Sequence, residues 1–301
     1  MSTNPQDDYL HQPIDGDRWY TETYWFSLDI PEHRLSLQFY PVIRANLGVA
    51  ALLVAVYGPN GDVPSSIPYW RPHWHLPLPS FEGNKFCIEG LAYEILEPLK
   101  RYRVTYEDPG LFSADLVYEG AADIHGTPSG SVYAGHIDHP MHVTGWIKLG
   151  ETRIEVDAFG MRDRSWGPRG DWKRGTRANY FYGIAKDSGF LVINLIEHDP
   201  PGLIGYIDRG GVRGRIVDVS IDRTDGLPGR IENVRVNARD EHGRTLDATG
   251  VARNHFAMEA NPHQFAWMTM VEWNGGEWFG EFQDVWGPDL LSKQNIAAAG
   301  F

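Results

Sequence analysis

Apolar and polar residues alternate along most of this chain at period two, in short runs closed by Gly, Pro, Asp and Asn. YWFSLDI, RLSLQFY, GVAALLVAVYG, YRVTYED, FSADLVYEG, HVTGWIKLG and TRIEVDAFG follow one another in the first half. YFYGIAK, FLVINLIEH, LIGYIDRG, VRGRIVDVSID, IENVRVNARDE, FAWMTMVEWNGG and WFGEFQDVWG follow in the second. Turn signals such as PNGD, LGET, KDSG, RGGV, EHGR and WNGG separate them. That spacing predicts an all-β protein of antiparallel sandwiches or barrels with little helix. Only FCIEGLAYEILEPLKRY has partly helical spacing, and its Pro98 and the β-run beside it favour strands.

The two halves echo each other. YWFSLDIPEHRLSLQFY (Tyr24 to Tyr40) opens the first as an aromatic hairpin, and YFYGIAKDSGFLVINLI (Tyr180 to Ile196) opens the second. The first closes on DRSWGPR and the second on QDVWGPD. Two Trp-Gly-Pro corners, each ending a strand-rich unit, predict a duplicated β-domain with units at 1–173 and 174–301. The first unit carries an extra segment, SIPYWRPHWHLPLPSFEGN (66–84), with Pro every few residues. Pro cannot donate to a ladder, so this segment is expected to fold over a barrel mouth rather than pair as a strand.

Composition narrows the partners. A formal net charge of −13 over 301 residues repels nucleic acid and anionic membranes. A single cysteine, Cys87, excludes an internal disulfide framework and fits a reducing compartment. The polar N-terminus shows no signal peptide, and the longest apolar run, Val49 to Tyr57, is about half the roughly 20 residues of a membrane helix. The expected address is cytoplasmic, without stable membrane insertion. A homodimer is left open. The load of 11 Trp, 14 Tyr and 13 Phe suits a chain that lines a site for a large apolar molecule.

The densest candidate chemistry lies in GMRDRSWGPRGDW, Gly160 to Trp172, which holds five charges and two tryptophans in thirteen residues. Alternation puts Arg153, Glu155, Asp157, Phe159, Met161 and Asp163 on one face of the run before it. A bulge at Gly160 would exchange the faces beyond that point. One reading makes Arg162, Asp163, Arg164 and Asp171 a salt-bridged corner with Trp166 as its plug. The other puts an Asp and an Arg inside an apolar cavity walled by Trp166 and Trp172. There a carboxylic acid can protonate an alkene or take a proton beside a developing cation, and the indole faces stabilise that cation.

Further candidates lie elsewhere. HIDHPMH (His136 to His142) has the residue types of a metal site. Strand geometry puts His136 and Asp138 on one face and His139 on the other, Pro140 is expected to break the ladder, and no second Cys/His cluster completes a coordination set. The expectation is therefore no metal, with a His–Asp pair orienting a proton donor or acceptor, or simple hydrogen bonding at a strand entrance. In the extra segment, Trp70, Trp74 and His75 read as a ligand lid or as a surface loop pinned by its rings. Glu197, His198, His255 and Glu259 are weaker candidates in the second half. No G-x-S-x-G elbow, P-loop, G-x-G-x-x-G after a strand, H-E-x-x-H or C-x-x-C is present. Ser165 beside Asp163 is the only hint of a hydrolase.

With these residues in hand, the chain resembles the carotenoid 1,2-hydratase (hydroxyneurosporene synthase) and tocopherol cyclase group of double-lipocalin proteins. The features that carry the resemblance are D-x-F-G-x-R-D-R-S-W-G-P-R (Asp157 to Arg169), H-x-D-H (His136 to His139), Y-E-I-L-E-P-L-K-R-Y-R-V-T-Y-E-D (Tyr93 to Asp108) and E-F-Q-D-V-W-G (Glu281 to Gly287). It implies two tandem lipocalin-like (calycin) antiparallel β-barrels with a hydrophobic pocket at or between them. It also implies cofactor-free acid chemistry on isoprenoid double bonds. Carried across, it makes Asp157 and Asp163 acid candidates, Arg162 an anchor, Trp166 a wall, and His136 and His139 proton partners.

The expected function is a cofactor-independent hydratase, dehydratase, lyase, cyclase or isomerase. Its expected substrate is a medium-sized hydrophobic molecule such as a terpenoid, steroid or aromatic compound. Asp163, Asp157, His136, His139 and Arg162 are the expected catalytic residues, and Trp166, Trp172, Trp70, Trp74 and His75 the substrate wall. The rival is a lipocalin-type carrier that binds without turnover, which fold alone does not separate from an enzyme.

Overall fold

The computed structural model describes residues 4–127, 134–169, 176–196, 202–261 and 264–300. The chain divides into two compact units, Met1–Val56 with Tyr69–Gly170 and Tyr57–Pro68 with Asp171–Phe301.

The first unit is built from β1 (Tyr20–Ile30), β2 (Leu35–Arg44), β3 (Val49–Tyr57), β4 (Tyr69–Leu76), β5 (Lys85–Ile88), β6 (Leu91–Glu97), β7 (Arg101–Asp108), β8 (Phe112–Gly120), β9 (His125–Thr127), β10 (Gly135–Leu149) and β11 (Thr152–Pro168). They form one sheet in the order β4-β3-β2-β1-β11-β10-β8-β7-β6-β5, with β9 also on β10. The sheet curls into a nearly closed barrel. Side chains link its β4 edge to β7: Tyr69 and Arg71 both donate to Asp108, at 2.8 and 2.9 Å.

Alternation decides what fills this barrel. Residues of one parity, including Phe26, Phe39, Tyr93, Tyr102, Val104, Leu116 and Tyr118, make a single aromatic core. Tyr24, Phe26, Tyr93, Tyr102, Val104, Leu116 and Tyr118 have no accessible surface, so no water-sized void adjoins them. Pro5–Asp8, a 3₁₀ turn capped by the Asn4 side chain, sends Asp8 into this core.

The second unit is a closed barrel of β12 (Arg177–Ile184), β13 (Ser188–Leu195), β14 (Gly202–Arg209), β15 (Val212–Leu227), β16 (Arg230–Asp240), β17 (Thr245–Asn261), β18 (Gln264–Trp273) and β19 (Trp278–Trp286), followed by helix α1 (Pro288–Ala298). Phe181, Phe190, Trp273, Trp278 and Phe282 fill it. Two tandem antiparallel barrels are thus the fold, as the strand spacing and the resemblance implied.

Two local expectations are corrected. The segment 66–84 does contain a ladder strand: β4 pairs with β3, with Pro72 opposite Leu53. It does so because β4 is the sheet's edge, where a missing N–H on the open side costs nothing. Pro140 likewise lies within β10, opposite Met161 of β11. On the other side of β10, β9 pairs with residues up to Asp138 and β8 with residues from Met141, so the proline falls in the gap between them.

Candidate active site

Strand β11 pairs without a register shift from Thr152 to Pro168 against β10 and β1. No bulge intervenes at Gly160, so the faces do not exchange. Ile154, Val156 and Ala158 point into the core, and by the same parity Arg162, Arg164 and Trp166 do too. Asp163 and Ser165 point out of the barrel. The expectation that Asp163 and Arg162 share one cavity is therefore corrected: consecutive residues of a continuous strand face opposite sides.

The inward groups form a buried polar plug. Arg162 donates to Asp8 at 2.7 Å, with neither side chain exposed, and its guanidinium lies 4.2 Å from the Tyr102 ring centroid. Asp8 also accepts from the Leu99 N–H and the Tyr102 hydroxyl at 2.6 and 3.0 Å. Arg164 pairs with Glu22 at 2.5 Å, donates to the carbonyls of Asp7 and Tyr9, and lies 4.3 Å over Tyr24. Trp166 stacks on His11 at 4.0 Å. A side chain at residue 135 would meet the Trp166 ring within 2.1 Å, which is why Gly135 stands opposite it. Buried cations are tolerated when paired and hydrogen-bonded, and here each is held at the barrel end by the N-terminal segment.

The outward groups are different in kind. His136 and Asp138 of β10 face the same side as Asp163, with Asp138 directly opposite it in the ladder. His136 Nε2 and Asp138 Oδ1 are 3.0 Å apart, and His136 Nδ1 is 3.6 Å from Asp163 Oδ1. One imidazole thus bridges two carboxyl groups. Asp138 is fully buried, whereas Asp163 keeps 19% of its side chain accessible. Burial raises the Asp163 carboxyl from 3.8 to about 6, a rise that the charge of His136 opposes and that of Asp138 reinforces. For His136, burial disfavours the charged ring, but the Asp138 and Asp163 carboxylates outweigh it and raise its pKa. A proton is therefore held within this trio near neutral pH, shared by groups that titrate together.

The surroundings on this face are mixed. Thr23 Oγ1 and Ser165 Oγ lie 2.8 Å apart, and Arg169 donates to both. Trp25 of β1 stands opposite Asp163 in the ladder and packs edge-on against Tyr40 at 4.9 Å. Trp70 of β4 faces this side as well, since its neighbour Tyr69 belongs to the core. The outer side of β1 and β2 is closed to solvent although it carries Ser27, Asp29, Ser36 and Gln38. Over β7 the outer side is open, with Arg101, Arg103 and Glu107 exposed.

Of the residues singled out in the sequence, the structure brings Asp163 and His136 together and leaves others apart. Asp157 shares the face of Asp163 but is 83% exposed and pairs with His142 at 2.6 Å. His139 points inward, opposite Arg162, with its ring 6.4 Å from that of Tyr102. Trp74 and His75 are exposed at the end of β4. His255 is buried against the Ile231 carbonyl at 2.6 Å, and Glu259 is exposed. Trp172, Glu197 and His198 lie outside the described residues. Asp138, noted beside His136 in the sequence, belongs to the site, as do Trp25, Thr23 and Arg169, which were not singled out. Asp138 and Arg169 lie inside motifs already noted, whereas Trp25 has no signal of its own in a wholly buried strand.

The class defined by this geometry is a tandem β-barrel protein with a carboxyl–imidazole–carboxyl cluster on the outside of its first barrel. The chain belongs to the family described as a domain of unknown function, DUF7064, whose match spans residues 4–284. No curated protein matches the sequence. Among solved structures, an AttH candidate from Nitrosomonas europaea is 14% identical, with 94% of this chain and 96% of that one covered and a TM-score of 0.66. CghA is 14% identical over 96% of each chain, with a TM-score of 0.61. Kievitone hydratase from Nectria haematococca is 6% identical over 93% of each chain, with a TM-score of 0.57. At these identities the likeness is one of fold.

Proposed function

We propose that this chain is a hydratase- or lyase-type enzyme for a hydrophobic small molecule, with Asp163 as the proton donor and acceptor. His136 exchanges the proton with Asp163, and Asp138 holds the imidazole in place. The observation that carries this reading is the Asp163 side chain, 19% accessible, in contact with a buried His–Asp pair beside the closed outer side of β1 and β2. A carboxyl raised to about 6 is protonated often enough near neutrality to act as an acid, and its conjugate base is strong enough to recover the proton. Trp25 and Tyr40 supply the apolar and aromatic wall on the strands beside it. The fold shared with kievitone hydratase, a protein named for hydration, agrees with this class.

The reading uses no cofactor. His136, Asp138 and Asp163 also offer atoms within 4.8 Å of one another, a spacing that a divalent ion can bridge. Metal supplementation and chelation accordingly belong in the assay. The carrier alternative draws less support, because a ligand held in the manner of a single lipocalin barrel needs room that the aromatic filling of the first barrel denies it.

The test is to incubate the protein in D₂O with terpenoids, steroids and phenolic compounds and to follow the small molecules by mass spectrometry. Gain or loss of water, or uptake of deuterium at carbon, is the expected result, together with its disappearance in Asp163→Asn. Compounds that bind and are returned unlabelled and unchanged by the wild type would instead establish the carrier.

A further inference from the structure

We infer that the substrate carries an oxygen function, a hydroxyl or carbonyl, at its reacting end, and that the indole N–H of Trp25 donates a hydrogen bond to that oxygen beside Asp163. The inference rests on the acid–base reading for the role of Asp163, and adds to it a residue and a chemical class of substrate.

Trp25 is 5% exposed, and its indole N–H finds no acceptor among the described residues. Buried indoles usually pair their N–H, because burying an unmet donor forfeits the hydrogen bond it had to water. Nothing in the apolar role of Trp25 requires that loss. A phenylalanine would pack against Tyr40 through the same ring edge without a donor to satisfy. Trp25 and Asp163 are directly opposed residues of paired strands and share one face, so the unmet donor and the carboxyl belong to neighbouring side chains. Side chains so placed have Cβ atoms about 4.5–5.5 Å apart. Asp163 Oδ1 likewise makes no hydrogen bond, its nearest ring nitrogen lying 3.6 Å away on His136.

A donor and a carboxyl oxygen on neighbouring side chains of one face can be satisfied together by one oxygen atom placed between them. A hydroxyl or carbonyl oxygen has two lone pairs, so it accepts from the indole and receives the Asp163 proton in the same position. A hydrocarbon alkene satisfies neither group: it would bury the indole N–H unpaired against carbon. The site therefore discriminates for oxygen by the penalty it imposes on molecules without it, the asymmetry that makes unpaired buried polar groups effective in specificity.

Carvone, carveol and limonene share one ring skeleton and differ in carrying a ketone, an alcohol or no oxygen. Binding of each is measured by equilibrium dialysis to the wild type, and the Trp25 indole ¹⁵N–¹H signal, identified by its absence from Trp25→Phe, is followed by NMR. Carvone and carveol are expected to bind about tenfold more tightly than limonene. They should also move the Trp25 signal downfield, whereas limonene leaves it in place. In Trp25→Phe the preference should disappear through weaker binding of the two oxygenated compounds alone. The inference is overturned if limonene binds as well as the others, if none of the three moves the signal, or if Trp25→Phe weakens all three equally. Should Trp25→Phe not fold, the affinity order on the wild type decides by itself. Failure of the acid–base reading has a separate signature: oxygenated compounds that move the indole signal and are never turned over.

Discussion

The two barrels end on the same Trp-Gly-Pro corner, Trp166–Pro168 in one and Trp286–Pro288 in the other, and each buries an ion pair beneath its tryptophan. In the first, Glu22 stands opposite Trp166 and pairs with Arg164, two residues before the tryptophan. In the second, Arg177 stands opposite Trp286 and pairs with Asp284, again two residues before it, at 2.6 Å. The positions agree and the charges are exchanged between strands. Both guanidiniums lie against the corner indole, at 5.4 Å for Arg164 and 3.8 Å for Arg177. The corner therefore calls for a buried pair under a ring, and either polarity serves. Arg164 has its counterpart in Asp284. Asp163 has none: three residues before the second tryptophan stands Gln283, which donates to Glu281 at 3.1 Å. What remains on the outer face after the shared architecture is subtracted is one carboxyl with its histidine, and inside the barrel the Arg162–Asp8 pair, where the second corner has Phe282.

The largest effect should come from breaking that asymmetry. Asp163→Asn preserves shape and removes the transferable proton, and should lower turnover by about 10²–10⁴-fold with binding retained. Gln283→Leu, at the matching position, should leave turnover unchanged. Steady-state kinetics beside thermal unfolding separate the two, and equal losses in both variants would mean that the corners are alike in function.

Next in size are the ion pairs. Arg164→Met strands Glu22, and Asp284→Asn leaves Arg177 and Arg223 without their shared carboxylate. Arg164→Met should cost about 3–5 kcal/mol of stability, since the Glu22 left behind is buried and charged, and Asp284→Asn less, since Arg177 and Arg223 are partly accessible and Arg223 keeps Asp225. Urea unfolding measures this, and a larger loss in the Asp284 variant would overturn the ranking.

A smaller effect appears with pH, and both corners contribute to it, since burial also raises the Asp284 carboxyl, to about 7. The folded Asp163 carboxyl titrates at about 6, above its unfolded value, so between about pH 4 and 6 the native state binds more protons than the unfolded one. Stability should therefore fall as pH rises through that window. His136, also raised on folding, continues the same slope above its own unfolded value. Asp163→Asn should flatten the lower part of the curve. An unchanged slope would mean that the carboxyl is not held above its ordinary range.

The strands, their alternation, the repeated corner and the pairing of His136 with Asp138 were legible in the sequence, because each depends on neighbours within a few residues. The rest was not, for reasons of range. Arg162 and Arg164 find Asp8 and Glu22 more than 140 residues away in the chain, and nothing in DRSWGPR announces partners in the N-terminal segment. Without that knowledge a run of charges beside tryptophans reads as a functional cluster, when half of it is a plug. The face of Asp163 hung on whether Gly160 formed a bulge, which only the ladder decides. Trp25 was hidden by its setting, since β1 is buried on both faces and a polar use of one indole leaves no mark in an apolar pattern.

The smallest expected effect tests the comparison from within a single strand. Asp157 and Asp163 lie on one face of β11, six residues and so about 20 Å apart, and the resemblance made both of them acids. They differ in surroundings only. Asp157 is 83% exposed beside a half-exposed His142, where water screens the pair. Asp163 touches a histidine that is itself buried and held by a second carboxyl. Asp157→Asn should thus change neither turnover nor melting temperature measurably, and substrate conversion at a fixed pH is the assay. A loss approaching that of Asp163→Asn would place the chemistry farther along the strand, where no buried histidine waits to share the proton, and would remove the reason for setting the first corner apart from the second.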